Sequence, residues 1–192
     1  METLQRRGVQ PRGRAEVRAV ESAPDVPYNR RMDAYRVIPV AGPLDAVVQI
    51  PGSKSLTNRA LVAAALADGR SRLTNVLLAD DTRYMLDALA TLGVPLSADE
   101  RACRVELTGC GGQWPGGDAQ IFCGNAGTVM RFLAAACCVG TGEYRLDGVP
   151  RMRERPVGGL VDALRELGAL IEYPEREGYP PMIIRARHLH GG

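Results

Sequence analysis

The stretch PGSKSLTNRALVAAALADG, residues 51–69, decides the fold, because a second stretch later in the chain repeats its pattern. The second stretch is GNAGTVMRFLAAACCVG, residues 124–140. Each opens on glycine and small polar residues and continues as an alanine-rich apolar run. Each also carries one arginine, and the two, Arg59 and Arg131, lie 72 residues apart. Two further blocks recur at offsets of 73 and 75 residues. Three ordered blocks at a near-constant offset indicate an internal repeat.

Each repeat predicts the order strand, helix, strand, helix, strand, strand, with repeat one at about 47–108 and repeat two at about 119–187. Because parallel strand–helix–strand crossovers bury their helix against the sheet, we predict an α/β fold of repeated βαβαββ units. In repeat one the predicted strands are 47–50, 71–76, 94–98 and 104–107, and the helices are 57–67 and 81–92. In repeat two the predicted strands are 119–122, 143–146, 169–173 and 181–187, and the helices are 127–139 and 156–168. The apolar helical runs are expected to be covered by other parts of the structure.

Composition limits the class of protein. Of the 192 residues, 45% are hydrophobic and 24% are charged, as in ordinary globular proteins. No apolar run approaches the roughly 20 residues that span a bilayer. The five cysteines are odd in number and lack Cys-x-x-Cys spacing, which predicts free thiols in a reducing compartment, the cytoplasm. The only histidines, His188 and His190, have no third ligand nearby, so we expect no metal site.

Residues 1–34 differ from the rest of the chain. They contain seven arginines and five acidic residues, which account for the net charge of +2. With few large apolar residues and no period, they are interpreted as a disordered tail, and residues 35–192 as an incomplete domain. The interspersed acids argue against a nucleic-acid-binding tail, and we expect neither nucleic acid nor a membrane as a partner. Translation from Met32 is the favoured alternative to a functional tail.

The two helix openings indicate anion binding. Free N–H groups and the helix dipole favour an anion at a helix start, and glycine allows close approach. The first opening carries Lys54, the only lysine in the chain, beside the hydroxyl of Ser55. Lysine supplies a compact charge whose properties change readily with its surroundings. An ordinary helix cap and a surface lysine remain the alternatives.

A third feature is the stretch RMRERP, residues 151–156, with three arginines just before a helix. Arginine can bind a carboxylate or a phosphate through two hydrogen bonds. The alternative is a solvated basic turn partly neutralised by Glu154. The matching turn of repeat one, residues 80–83, is interpreted as a helix cap and an ion pair.

Together, residues 51–61, 124–131 and 151–156 resemble the 5-enolpyruvylshikimate-3-phosphate synthase family, the 1-carboxyvinyltransferases of the shikimate pathway. The resemblance runs from about Val37 to the last residue. It implies two similar domains, each an inside-out α/β barrel of three βαβαββ units, of which this chain contains two units of the first. It also implies transfer of the enolpyruvyl group of phosphoenolpyruvate to the 5-hydroxyl of shikimate 3-phosphate, with release of phosphate. No metal or organic cofactor is implied.

The resemblance implies roles for residues of the first opening. Lys54, Ser55 and Arg59 are expected to contact shikimate 3-phosphate. Lys54 is also expected to touch phosphoenolpyruvate and to take part in proton transfer. Such chemistry needs cations, because both substrates are phosphorylated anions.

The resemblance implies further roles at the second opening. Gly127 and Arg155 are expected to contact phosphoenolpyruvate. Asn125, Thr128 and Arg131 are expected to shape the same pocket.

Two departures from the family pattern bear on function. Phe132 stands where some members carry proline or a smaller aliphatic residue, and a ring there could tilt its helix. The chain also ends at Gly192, before the family's third unit and second domain. We therefore expect the isolated chain to be inactive or nearly so, and to self-associate through exposed apolar surface. The alternatives are a non-catalytic anion- or partner-binding module from a truncated gene, and enolpyruvyl transfer to a UDP-sugar, against which Asn58 and Arg59 argue.

Overall fold

A computed structural model describes residue 47, residues 50–187 and residue 189. The first repeat contains α1 (Lys54–Leu66), β1 (Asp68–Thr74), α2 (Asp80–Thr91), β2 (Leu96–Asp99) and β3 (Arg104–Cys110). The second repeat contains β4 (Ala119–Phe122), α3 (Gly127–Cys137), β5 (Thr141–Asp147), α4 (Pro150–Arg153), α5 (Gly158–Glu166), β6 (Leu170–Glu172) and β7 (Met182–Arg187). The arginine-rich stretch 1–34 and the two histidines, His188 and His190, lie outside the described residues.

The strand order confirms the repeat. The first sheet has the order β1-β3-β2 and is antiparallel throughout. The second has the order β4-β5-β7-β6, in which β5, β7 and β6 pair as β1, β3 and β2 do. Strand β4 pairs in parallel with β5, and α3 is the crossover helix between them. The predicted α/β class is therefore confirmed.

The predicted strand at 47–50 is wrong at its two described residues. Val47 and Ile50 lie outside any strand, and Ile50 is largely exposed. Among the described residues no strand pairs with the free edge of β1, so the described part of repeat one contains no counterpart of β4. Pro51, which follows directly, has no N–H to donate to a sheet.

Helix α1 and strand β1 both begin three residues before their predicted starts. Ser53 caps the helix, because its hydroxyl oxygen accepts a hydrogen bond from the N–H of Leu56 at 3.4 Å. The helix ends at Leu66, one residue before its predicted end, and Gly69 lies within β1. The cap thus adds the turn that carries Lys54 to the helix.

The prediction that Pro156 begins a helix is also wrong. The chain forms the short helix α4 first, and its initiating proline is Pro150. Proline suits a first helical turn because its missing N–H is not needed there. Helix α5 then starts at Gly158 and ends before Gly168, which has a φ of 93°.

Helices α1 and α3 pack against each other and bury part of their surfaces. Leu61 and Ala65 of α1 and Leu133 and Ala134 of α3 have no exposed surface. Other residues of the two helices, together with Val139 just after α3, form an open apolar groove of about 430 Å³, hereafter the α1–α3 groove. Its apolar lining includes Val62, Ala63, Leu66, Phe132, Ala135 and Val139. Over the described residues, the expectation that these helices are covered is met on one side. Within the described part of the chain, no helix is both long and apolar enough to cross a bilayer.

Candidate functional site

The opening of α1 holds Lys54 beside the start of α2. The Nζ atom of Lys54 lies 3.1 Å from Oδ2 of Asp81, and the two side chains are 46% and 26% exposed. The sequence of residues 80–83 predicts a helix cap and an ion pair, and Asp81 does form an ion pair. The helix cap there comes from Thr82, whose hydroxyl oxygen accepts a hydrogen bond from the N–H of Ala79 at 2.8 Å. Sequence reasoning missed that Asp81 reaches the opening of α1.

The opening of α3 is formed by a tight turn. Gly124 has a φ of 53°, a conformation that glycine adopts without strain. A Cβ atom on Gly127 would overlap the guanidinium of Arg155. Arg155 also donates a hydrogen bond to the carbonyl oxygen of Asn125 at 2.9 Å. Gly127 thus lets the arginine lie directly against the helix opening.

The three arginines of residues 151–156 have different partners. Arg151 pairs with the neighbouring Glu154 on the surface. Arg153 donates two hydrogen bonds to Asp147, at 2.9 and 2.5 Å, which raise the pKa of its guanidinium. Only Arg155 lies at the opening of α3. The solvated-turn alternative therefore describes Arg151, whereas Arg153 ties α4 to the end of β5.

Arg59 and Arg131 occupy equivalent places in the two helices. Each donates to the backbone carbonyl one turn earlier, Arg59 to Ser55 at 3.2 Å and Arg131 to Gly127 at 3.1 Å. Helical side chains point back toward the N-terminus, which brings both guanidinium groups to the level of the openings. The repeat seen in sequence therefore extends to side-chain geometry.

A buried hydrogen bond joins the two helices. The Nδ2 atom of Asn58 donates to Oγ1 of Thr128 at 3.0 Å, and Asn58 has no exposed surface. The other amide atom, Oδ1, is buried without a hydrogen-bond partner. Asn58 was not among the predicted site residues. Its position one turn after Lys54, on the same helix face, is the signal that could have identified it.

Contacts link the predicted residues of the two openings in a closed series. Lys54 contacts Asp81, and one turn later in α2 the ring of Tyr84 packs on Gly124. Gly124 directly precedes Asn125, whose carbonyl oxygen accepts the hydrogen bond from Arg155. The hydrogen bond between Thr128 of α3 and Asn58 of α1 completes the series. The structure thereby connects the openings through these contacts. The side chain of Arg131 is held by two hydrogen bonds, because its guanidinium also donates to the carbonyl oxygen of Pro156 at 2.8 Å.

The cysteines are free, as expected, and three of them are buried. Burial raises the pKa of the Cys123 thiol to about 12 and that of Cys138 to about 11. Burial likewise raises the pKa of Cys137. These thiols stay protonated at neutral pH, whereas Cys103 is exposed in the turn between β2 and β3.

Known proteins resemble this chain over most of its length. The family model for EPSP synthase (3-phosphoshikimate 1-carboxyvinyltransferase) matches residues 39–192. A 3-phosphoshikimate 1-carboxyvinyltransferase from Vibrio vulnificus (strain YJ016) is 59% identical over 148 residues, which cover 76% of this chain and 34% of the relative. One from Paraburkholderia phytofirmans is 56% identical over 143 residues, 74% of this chain and 32% of the relative.

The fold comparison agrees. The solved EPSP synthase from Acinetobacter baumannii superimposes with a TM-score of 0.67 at 26% identity, covering 73% of this chain and 32% of that structure. The chain spans about a third of the length of the relatives it matches. Because the family model matches from residue 39 to the last residue, the chain belongs to the EPSP synthase family.

Proposed function

We propose that this chain contributes part of an active site that transfers the enolpyruvyl group of phosphoenolpyruvate to the 5-hydroxyl of shikimate 3-phosphate, releasing phosphate. The observation that carries the proposal is the contact series joining two helix openings, one with Lys54 and the other with Arg155. Helix N-termini and cations together favour phosphorylated anions. Both proposed substrates are anions of this kind.

The first opening binds shikimate 3-phosphate in this proposal. Lys54, Ser55 and Arg59 are its contacts, and all three are at least partly exposed. Among the described residues one carboxylate, that of Asp81, pairs with Lys54, and an ammonium group has three N–H donors, so donors remain for a ligand. The reaction needs a proton at the methylene carbon of phosphoenolpyruvate and a base at the attacking hydroxyl. Lys54, reaching both substrates, serves in that proton transfer.

The second opening binds phosphoenolpyruvate. Gly127 and Arg155 are its contacts, and the half-buried guanidinium of Arg155 supplies the charge. The carbonyl oxygen of Asn125 accepts a hydrogen bond from Arg155, which fixes the turn. Arg131 donates to the carbonyl oxygen of Gly127, which fixes the first turn of the helix. Thr128 connects this pocket to α1 through Asn58.

Turnover by the chain alone is proposed to be absent or very low. Fixing both reactants in place accounts for about 7–11 kcal/mol of a barrier. This chain covers 34% of the Vibrio vulnificus relative. A coupled phosphate-release assay with both substrates tests the point. Turnover restored by adding a polypeptide corresponding to the rest of that relative supports the proposal, and turnover by the chain alone near that of a full-length relative contradicts it.

Binding is tested with matched variants. Calorimetry should detect shikimate 3-phosphate binding to the wild-type chain, and Lys54→Ala should abolish it. Arg70→Ala is the control, because Arg70 is also exposed but lies just after the far end of α1, which is about 20 Å long. Equal losses in both variants would indicate charge attraction without a site. Binding to a protein partner in place of any substrate would favour a non-catalytic module.

We also propose that the α1–α3 groove brings two copies of the chain together in the cytoplasm. A second copy presents the same alanine-rich walls, so the contact can be self-complementary. Ala63→Glu should then shift the chain toward monomer in sedimentation measurements. Ala98→Glu, at an exposed strand position, is the control. A wild-type chain that sediments as a monomer at all concentrations would contradict this.

A further inference from the structure

Phe132 lies beneath the side chain of Arg59, although the two residues belong to different repeats. The guanidinium carbon of Arg59 is 5.5 Å from the centre of the Phe132 ring. The same guanidinium donates to the carbonyl oxygen of Ser55 at 3.2 Å. Arg59 is therefore held from its own helix by a carbonyl and from α3 by an aromatic face.

The equivalent arginine of the second repeat has a different second partner. Arg131 bonds the carbonyls of Gly127 and Pro156. Both arginines thus share the contact to their own helix, but the ring of Phe132 replaces a backbone carbonyl at Arg59. Neither a ring nor a backbone carbonyl carries a negative charge, so these two contacts of Arg59 leave its guanidinium able to attract an anion.

The ring also lowers the entropy cost of binding an anion, because it already restricts the side chain of Arg59. A free arginine side chain loses rotamer freedom on meeting a ligand, and a side chain already held in place loses less. A cation lying over an aromatic face is attracted by the negative face of the ring, and this attraction strengthens where water is excluded. Proline or an aliphatic residue at position 132 offers no such face.

We propose that Phe132 is a positioning residue for Arg59 and thereby raises the affinity of the α1 opening for shikimate 3-phosphate. This inference rests on the proposed function, in which Arg59 contacts that substrate. Phe132 itself touches no substrate. The effect belongs to this chain's own pairing of an aromatic residue in α3 with an arginine in α1.

The test compares Phe132→Leu with Phe132→Tyr. Leucine keeps an apolar side chain in the α1–α3 groove but removes the ring, whereas tyrosine keeps the ring. We expect Phe132→Leu to lower shikimate 3-phosphate affinity about threefold to fivefold, a range set by a single cation–π contact, and Phe132→Tyr to retain it. In an Arg59→Ala background, Phe132→Leu should have no further effect.

A ligand-free readout separates the contact from the fold. The side-chain N–H signal of Arg59 in NMR spectra should show a ring-current shift that disappears in Phe132→Leu and persists in Phe132→Tyr. Wild-type affinity in Phe132→Leu, or an equal loss with and without Arg59, would overturn the inference alone. An Arg59 signal that does not respond to Phe132→Leu would do the same. Failure of the wild-type chain to bind shikimate 3-phosphate would overturn the proposed function, and with it the role of Phe132 in affinity.

Discussion

Lys54 and Asp81 form an ion pair, 3.1 Å between Nζ and Oδ2, that joins the first turns of α1 and α2. The only lysine of the chain is therefore oriented by a carboxylate from the neighbouring helix. Both side chains keep solvent access, so the pair belongs to the class that stabilises folds weakly. It lies at the opening where we propose that shikimate 3-phosphate binds.

We expect Asp81→Asn to change the free energy of unfolding by less than about 1 kcal/mol, because exposed ion pairs contribute little. The free energy of binding shikimate 3-phosphate should weaken by more than this change in stability, because Lys54 loses its orienting partner. Urea unfolding and calorimetry measure the two effects. Glu100→Gln is the control, because Glu100 pairs with Arg83 of the same helix but lies on an exposed turn. A stability loss above about 2 kcal/mol would mean that the Lys54–Asp81 pair is structural.

Gly127→Ala should displace Arg155, because the added Cβ atom overlaps its guanidinium. The clash is with the end of a flexible side chain, so the fold should lose no more than about 1 kcal/mol. Phosphoenolpyruvate affinity, followed by calorimetry in the presence of shikimate 3-phosphate, should fall at least tenfold. Gly159→Ala in α5 is the control, because a Cβ there meets nothing within 4 Å. Unchanged affinity in Gly127→Ala would remove Arg155 from the site.

Thr128→Val should destabilise the chain by about 1–2 kcal/mol, because it leaves the buried Nδ2 atom of Asn58 without an acceptor. Replacing both partners, as Asn58→Leu with Thr128→Val, should recover part of that loss. Urea unfolding of the two single variants and the double variant gives the coupling energy. Strictly additive losses would indicate that the hydrogen bond contributes nothing.

Stability should fall as the pH rises above about 9. Burial raises the pKa of Cys123 from 9.0 to about 12, so the unfolded state loses this proton first and binds fewer protons than the folded state. The free energy of unfolding then decreases with pH, by up to about 1.4 kcal/mol per unit for one fully titrating thiol. Unfolding at pH 8 and pH 10 measures this. Cys123→Ala should reduce the slope; a slope equal to that of the wild-type chain would contradict the assignment.

Alkylation should distinguish the cysteines at neutral pH. Iodoacetamide should modify the exposed Cys103 of the native chain rapidly and leave Cys123, Cys137 and Cys138 unmodified, because thiolates react and buried thiols stay protonated. Mass spectrometry of peptides reports each site. In urea all of them should react. Rapid native modification of Cys137 would show that the packing around α3 opens readily.

The internal repeat of the sequence predicted most of the fold. The repeated helix openings and alanine-rich runs predicted α1 and α3, and the element order shared by the two repeats predicted the paired strands β2, β3, β6 and β7. Helix α4 was missed because four residues are too few for a period, and the proline signal was read at Pro156 rather than Pro150. The strand predicted at 47–50 failed because strand character in a sequence does not supply a pairing partner.

The sequence predicted which residue types lie at the candidate site, but it did not predict which side chains pair with one another there. The chemistry of the residues selected Lys54 and the glycine turn, and the family resemblance selected Arg155. Residue chemistry alone could not tell which of the three arginines near residue 153 lies at the opening. That depends on Asp147, at the end of β5, and on Glu175, after β6, both of which pair with Arg153 in the folded chain.

The hydrogen bond between Asn58 and Thr128 has an evolutionary consequence. Each partner comes from a different repeat, so neither repeat alone can form the bond. A substitution at either position breaks this bond, which couples the two positions. We therefore expect substitutions at 58 and 128 to arise together in descendants of this lineage.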